Sequence, residues 1–270
     1  MKIRPPAVAG MFYEASPENL ERDVRTHLGA AHAEQLQSAF GAIVPHAGYV
    51  YSGPVAGAVY ARLKIPRAAI ILCPNHTGRG APAALEASDA WRTPLGDVPV
   101  SSRLAARILE LAPSLEKDSA AHAREHSLEV QLPFLQVLRP DVELVPICIG
   151  AHDLELCREI GKALATLRKE AEEPPLLLAS SDMNHYESRE VGRRKDERAL
   201  ACIEALDPEG LFSTVMTESI SMCGFLPAAA LLFAAREAGV PEARVVARRD
   251  SGDETGDTSS VVGYAGVILR

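Results

Sequence analysis

Three stretches of this 270-residue chain end an apolar run on residues that can hold a metal ion or move a proton. "AIVPHAGY" ends on Pro45 and His46 ahead of Gly48, and "IILCPNHTG" ends on Pro74 and His76 ahead of Gly78. "LLLASSDMNH" ends on Asp182 and His185. Proline has no N–H and so ends a strand ladder, while glycine lets the backbone turn sharply enough to leave an imidazole exposed. Imidazole suits zinc, copper, iron and nickel, so His46 and His76 are expected metal ligands. A lone histidine after a strand is ordinarily a loop residue; its repetition at strand ends is what points to a shared site. For His185, Asp182 is either a hydrogen-bond partner or itself the ligand.

Two further stretches carry reactive groups. "REHSLEVQLP" sets Glu125, His126, Glu129 and Gln131 at the start of an expected helix, with His126 and Glu129 on neighbouring positions of one face. Taken alone, it reads as a solvated first turn whose acids complement the helix dipole. "SMCGFLPAAALLF" puts Cys223 directly before a glycine and an apolar helix, where the dipole favours a thiolate. Cys73, Cys148, Cys157 and Cys202 lie inside apolar strands or helices and are expected to be packing residues. Five cysteines without a CxxC pair argue against a disulfide framework. His27, His32, His122 and His152 lack such context and are expected at the surface. Tyr49, Tyr51 and Tyr186 are candidate pocket walls, and Arg79 either neutralises an acidic ligand or is a surface residue.

Apolar runs alternate with helical segments, the pattern of an α/β protein. Strands are expected over "GAIVPH", "AAIILCP", "VELVPICIG", "PLLLASSDMNH", "ARVVAR" and "VVGYAGVIL". Helices are expected after Ser16 and Pro17, over "GPVAGAVYARL", "SSRLAARILELAPSL", "EHSLEVQLPFLQVL" and "DLELCREIGKALATLRKE", and near 190–205 and 223–238. Pro133 fits the fourth of these only near a kink or a boundary. The loop "RDSGDETGDTSS" reads as a solvated turn or the edge of a lid. In open α/β sheets ligands sit beyond the carboxyl ends of the strands, so parallel strands would carry the histidines to one rim. No linker or repeat interrupts the chain, and a single domain over 1–270 is expected.

With 36 acidic and 28 basic residues the formal charge is −8, and no cluster of lysine and arginine offsets it. Phosphate backbones bind through dense positive charge, so nucleic acid is excluded as a partner. No apolar run reaches the roughly 20 residues a membrane span needs, and "MKIRPPAVAGMFY" has prolines where a secretory signal needs an unbroken apolar stretch. A cytoplasmic protein with no membrane partner is expected. The partner is a small molecule or peptide, and the sequence does not set an oligomeric state.

"AVAGMFY", "PHAGYVYSG", "CPNHTG", "WRTPLGDV", "EHSLEVQLPF", "SSDMNHY", "CG" at 223–224 and "SSVVGYAG" follow one another along the chain. In this order they resemble the Memo family, which includes the proteins labelled AmmeMemoRadiSam system protein B, and the resemblance covers essentially the whole chain. It implies a three-layer α/β/α domain like that of the class III extradiol dioxygenases, non-haem iron enzymes that open catechol rings. It implies His46, His76 and Cys223 as the metal-binding set, with Asp182 and His185 lining the site and His126 as another pocket histidine. The dioxygenases complete their iron site with a late carboxylate where this chain has Cys223, a departure that argues against ordinary ring cleavage. A thiolate is softer, favours copper(I), zinc or iron in a more covalent site, and can itself be oxidised. Asp182 as an oxygen ligand would restore a mixed site.

The leading expectation is therefore metal-dependent redox chemistry with iron or copper, zinc also suiting the donors. Asp182 would orient an imidazole or water, and His185 and His126 would transfer protons. The alternative is a pocket that binds a peptide or metabolite without reaction. Metal-assisted hydrolysis ranks third, since nothing resembles HExxH.

Overall fold

The computed structural model describes residues 1–29 and 36–270, so the expectation for His32 lies outside the described residues. After a two-residue strand β1 (Ile3–Arg4), Ser16 caps helix α1 (Pro17–Leu28) by accepting a hydrogen bond from the Asn19 N–H, and Leu20 and Val24 face inward. Strand β2 (Gly41–Val44) leads to helix α2 (Tyr49–Tyr60), which starts four residues earlier than expected and carries Pro54 within it. Strand β3 (Ala68–Pro74) is followed by β4 (Ala83–Leu85) and the hairpin β5 (Ala90–Thr93) and β6 (Gly96–Pro99). Helix α3 (Ser102–Leu111) and the short β7 (Glu116–Lys117) come next.

The helix expected over 125–138 is shorter. Residues 125–128 are irregular, Glu129–Gln131 form one 3-10 turn, and α4 covers only Leu132–Leu138, with Pro133 in its first turn as its missing N–H requires. Strand β8 (Glu143–Ile149), helix α5 (Leu154–Glu170, capped by Asp153) and strand β9 (Leu176–Ser180) fall where expected. Strand β9 stops at Ser180, so His185 does not sit on its end; it opens a separate strand, β10 (His185–Glu187). Helices α6 (Arg189–Glu204), α7 (Pro208–Thr217) and α8 (Phe225–Glu237) precede strand β11 (Ala243–Asp250). The loop beyond it holds a one-turn helix α9 (Gly252–Thr255), and β12 (Val261–Leu269) closes the chain.

The large sheet runs β10-β12-β2-β9-β3-β8-β4-β7, with β11 on the other edge of β12; β1, β5 and β6 form a small second sheet. The four central strands are parallel, and the pairs β12·β2 and β4·β8 are antiparallel. Because successive side chains on a strand point to opposite faces, each central strand feeds two cores. Ile43, Ile70, Leu72, Val145 and Leu177 pack against α3, α5, α6, α7 and α8. Val44, Ile71, Cys73, Leu144 and Leu178 pack with α1, α2 and α4 on the opposite face. The result is the expected three-layer α/β/α arrangement. No helix among the described residues is long and apolar enough to cross a membrane.

Two histidines expected at the surface are not there. His122 is fully buried, edge-on to Trp91, with Nε2 at 3.0 Å from the Ala84 carbonyl. His27, on α1, is largely covered against α2, beside Tyr49, Gly53 and Gly57. His152 is exposed as expected. Cys73, Cys148 and Cys157 are buried and Cys202 is partly buried.

Candidate metal centre

Strands β2, β9 and β3 lie side by side and parallel, with Val44 level with Ser180 and Leu72 level with Ala179. Neighbouring strands are roughly 4.8 Å apart, so the residues just beyond their carboxyl ends meet: His46 after β2, Asp182 after β9 and His76 after β3. The bend after β3 is shaped by Asn75, whose side-chain oxygen accepts from the N–H groups of Thr77 and Gly78. Gly78 and Gly80 adopt the left-handed conformation that this turn requires. Arg79 is exposed and lies outside the cleft.

Cys223 arrives from the other side, at the start of α8. Gly224 lets it approach: a Cβ there would stand 2.2 Å from the Ser180 carbonyl oxygen and 2.5 Å from the Ser181 Cβ. The Cys223 Sγ lies 3.1 Å from the His46 Nε2, and donor atoms of His46, His76 and Cys223 all fall within 4.8 Å of one another. The His46 and His76 ring centroids are 5.2 Å apart, and His126 stacks on His76 at 4.9 Å.

The supporting groups are buried and specific. Glu125 accepts from the His76 backbone N–H (2.7 Å) and faces the His76 Nδ1 (2.9 Å); it also accepts from the Ser127 N–H (2.9 Å) and hydroxyl (2.6 Å). Burial alone would raise the Glu125 carboxyl, but His76 and Ser127 outweigh it and hold it at about 2. Burial likewise opposes the charge on His76, yet Glu125 raises its pKa above the ordinary value. Glu125 is thus engaged by donors already, and the second cluster of possible ligands, His76, Glu125 and His126, is better described as a candidate ligand, His76, and its support.

Asp182 accepts from the His46 backbone N–H at 2.7 Å, so it fixes that loop and orients no imidazole. Nor is it the partner of His185, whose Nδ1 lies 2.8 Å from the Ser221 carbonyl. Burial raises the Asp182 carboxyl to about 7, against the opposing pull of the His46 and Ala47 N–H groups. The helix dipole does not prevail at Cys223: burial first, then the Asp182 charge, push its thiol up. Burial lowers His46, His126 and His185.

These donors fit a first-row metal ion. Ligand atoms roughly 2.0–2.3 Å from one ion sit roughly 3.3–3.8 Å apart in a tetrahedral set, within reach of small side-chain rotations here. Metal-bound imidazoles characteristically give their other nitrogen to a carboxylate, carbonyl or similar acceptor, as the His76 Nδ1 does toward Glu125. A cation would also supply the charge that ionises Cys223, since metal binding displaces a thiol proton.

The cluster lies in a cleft of about 1300 Å3 that extends past Asp182, His185, Tyr49 and Tyr264 toward Phe12 and Arg22. The large apolar side chains Met11, Val50, Tyr51 and Tyr186 are exposed and all line its mouth. Tyr49 is a buried wall whose hydroxyl donates to the Val130 carbonyl.

The "EHSLEVQ" stretch does more than its sequence suggests, and its acids are buried, contrary to the solvated-turn expectation. Glu129 turns away from His126 to bind Arg4, the Ala7 and Val8 N–H groups and the Tyr13 hydroxyl, which pins the N-terminal segment beside the cleft. Gln131 donates to the Pro45 carbonyl and to Ser180 Oγ, both at 3.0 Å. Glu125, Ser127, Gln131 and Ser180 are residues of the candidate site to which sequence reasoning gave no role. The one available signal was the density of polar residues ahead of an apolar helix.

A central parallel sheet with a His/His/Cys cluster beyond its strand ends defines an α/β protein with a candidate metal centre. A family model described as Memo-like protein matches residues 4–268. A MEMO1 family protein of Methanopyrus kandleri is 40% identical over 279 residues, covering 99% of each chain. Those of Aeropyrum pernix and Aquifex aeolicus are 44% and 40% identical, covering 99% and 100% of each chain respectively. The chain belongs to the Memo-like family.

Proposed function

We propose that the cleft is a metal centre for redox chemistry, with His46, His76 and Cys223 as ligands to iron or copper, zinc also suiting the donors. The observation that carries this reading is the convergence of two imidazoles and one thiol within 4.8 Å. A bound iron or copper ion supplies one-electron and oxygen chemistry. The protein's own residues do the rest. Glu125 orients His76, and Asp182, through the His46 N–H, keeps the β2 loop in place. Asp182, raised to about 7, holds or releases a proton near neutral pH at the cleft wall. His185 has Nδ1 engaged by Ser221 and leaves Nε2 as a base; His126, lowered by burial, is a second neutral base beside His76.

The test is metal content and oxygen consumption of the anaerobically reconstituted protein, compared with His46→Ala. Metal-dependent oxygen uptake that disappears in the variant supports the reading. Equal background in both variants, with metal bound in the wild type, rejects redox chemistry.

A second reading, binding of a peptide or metabolite without reaction, is favoured by the cleft itself. Its volume exceeds the roughly 300–1,000 Å3 of small-molecule sites, and its mouth is rimmed by exposed Met11, Val50, Tyr51 and Tyr186. Under that reading the same oxygen measurement shows no difference between wild type and His46→Ala.

A further inference from the structure

The hydrogen bonds behind His46 form a chain in which every donor and acceptor can be assigned. A carbonyl oxygen can only accept. Gln131 makes 3.0 Å contacts to the Pro45 carbonyl and to Ser180 Oγ through one side-chain nitrogen, so the Pro45 carbonyl fixes which way the amide points. That nitrogen therefore donates to Ser180. The Ser180 hydroxyl has one proton, and its 2.6 Å bond to the Ser127 carbonyl uses it. At 2.9 Å from the His46 Nδ1, Ser180 Oγ has only an acceptor lone pair left to offer. His46 Nδ1 must then carry the proton, and Nε2 must be bare.

We propose that Ser180 and Gln131 are positioning residues that hold His46 as its Nδ1–H tautomer and aim the Nε2 lone pair at the Cys223–His76 cluster. The inference rests on the metal-centre reading for its purpose, though not for its hydrogen-bond logic. All four members, His46, Ser127, Gln131 and Ser180, are buried, so no solvent competes for these bonds. The other end of the imidazole agrees: Nε2 lies 3.1 Å from Cys223 Sγ, a thiol able to donate to it. Ser127 serves both ligands at once, because its carbonyl takes the Ser180 proton while its hydroxyl donates to the Glu125 that orients His76.

The experiment uses nitrogen-15 NMR of the metal-free protein at pH 8, where His46 is neutral, and a chelator-competition titration with Zn(II) as the probe. In the wild type the His46 Nδ1 is expected to show the protonated-type shift and Nε2 the bare-nitrogen shift. Ser180→Ala removes the acceptor, and its His46 should move toward the Nε2–H form while Zn(II) affinity falls about 10- to 100-fold. The wild-type spectrum needs no variant, so the proposal stays testable if Ser180→Ala does not fold. A wild-type His46 with Nε2 protonated overturns it, as does a Ser180→Ala protein that keeps the wild-type tautomer or the wild-type affinity. If the wild type binds no Zn(II), Fe(II) or Cu(I), the metal-centre reading fails, and the tautomer spectrum still decides the hydrogen-bond assignment by itself.

Discussion

Replacing Glu125 by glutamine tests the support of His76 most sharply. The carboxylate is fully buried and takes the His76 and Ser127 backbone N–H groups and the Ser127 hydroxyl while facing the His76 Nδ1. A glutamine of the same shape offers one oxygen and sets an NH2 group against one of those donors. Holding the carboxyl at about 2 rather than at its ordinary 4.5 corresponds to about 3 kcal/mol of stabilisation at neutral pH, at about 1.4 kcal/mol per pH unit. Because folding lowers this pKa, the stabilisation is complete above about pH 4.5 and is lost as pH falls toward 2. Glu125→Gln should therefore lower unfolding stability by about 3 kcal/mol at pH 7. The gap between the two proteins should narrow by about 1 kcal/mol by pH 3.5. Urea denaturation at both pH values measures this, and metal affinity should drop about 10- to 100-fold in parallel. A variant of wild-type stability at pH 7, or a gap that does not change with pH, would refute the assignment of Glu125 as an ionised, donor-engaged support.

Other outcomes follow from single residues. Gly224→Ala sets a Cβ against fixed backbone at Ser180; it should cost about 1–3 kcal/mol and displace Cys223, measured as lost stability together with weakened metal binding. Tyr186 holds φ at 61° and is largely exposed, so Tyr186→Gly should relieve backbone strain and raise stability by up to about 1 kcal/mol; a fall in the urea midpoint contradicts this. Asp196 is buried and raised to about 6, chiefly by desolvation. Ionising it in the fold removes about 3 kcal/mol as pH rises from about 4 to 6, and Asp196→Asn should gain on the wild type over that interval. A stability difference that stays level from pH 4 to 7 contradicts this.

The strand ends were legible because proline and glycine mark where β2 and β3 stop, and the alternation of apolar runs with helical segments pointed to an α/β protein; the three-layer arrangement came from the family resemblance. Periodicity failed at 125–138, where helical spacing would put His126 and Glu129 on one face. Glu129 is instead drawn to Arg4 and Tyr13, more than 110 residues away in sequence, and Glu125 to His76. These long-range bonds outweigh local helix propensity, and no pattern along the chain encodes them. The same holds for Ser180, which in sequence is only the last residue of an apolar strand. The role of Cys223 came from family resemblance, while its environment came from burial: its position before α8 suggested a stabilised thiolate, and desolvation reverses that. The short strands β4 to β7 and helix α7 were missed because segments so brief, or so weakly patterned, carry little periodic signal.

The central claim is that one ion is held jointly by His46, His76 and Cys223. Elemental analysis of native protein beside Cys223→Ala, read with anomalous diffraction at the metal edges, tests it most directly. The expected result is a single iron or copper site in the wild type with two nitrogens and one sulfur about 2.0–2.3 Å from the ion, and depleted occupancy in the variant. An ion bound elsewhere, or one whose occupancy and position are unchanged without the Cys223 sulfur, would contradict it.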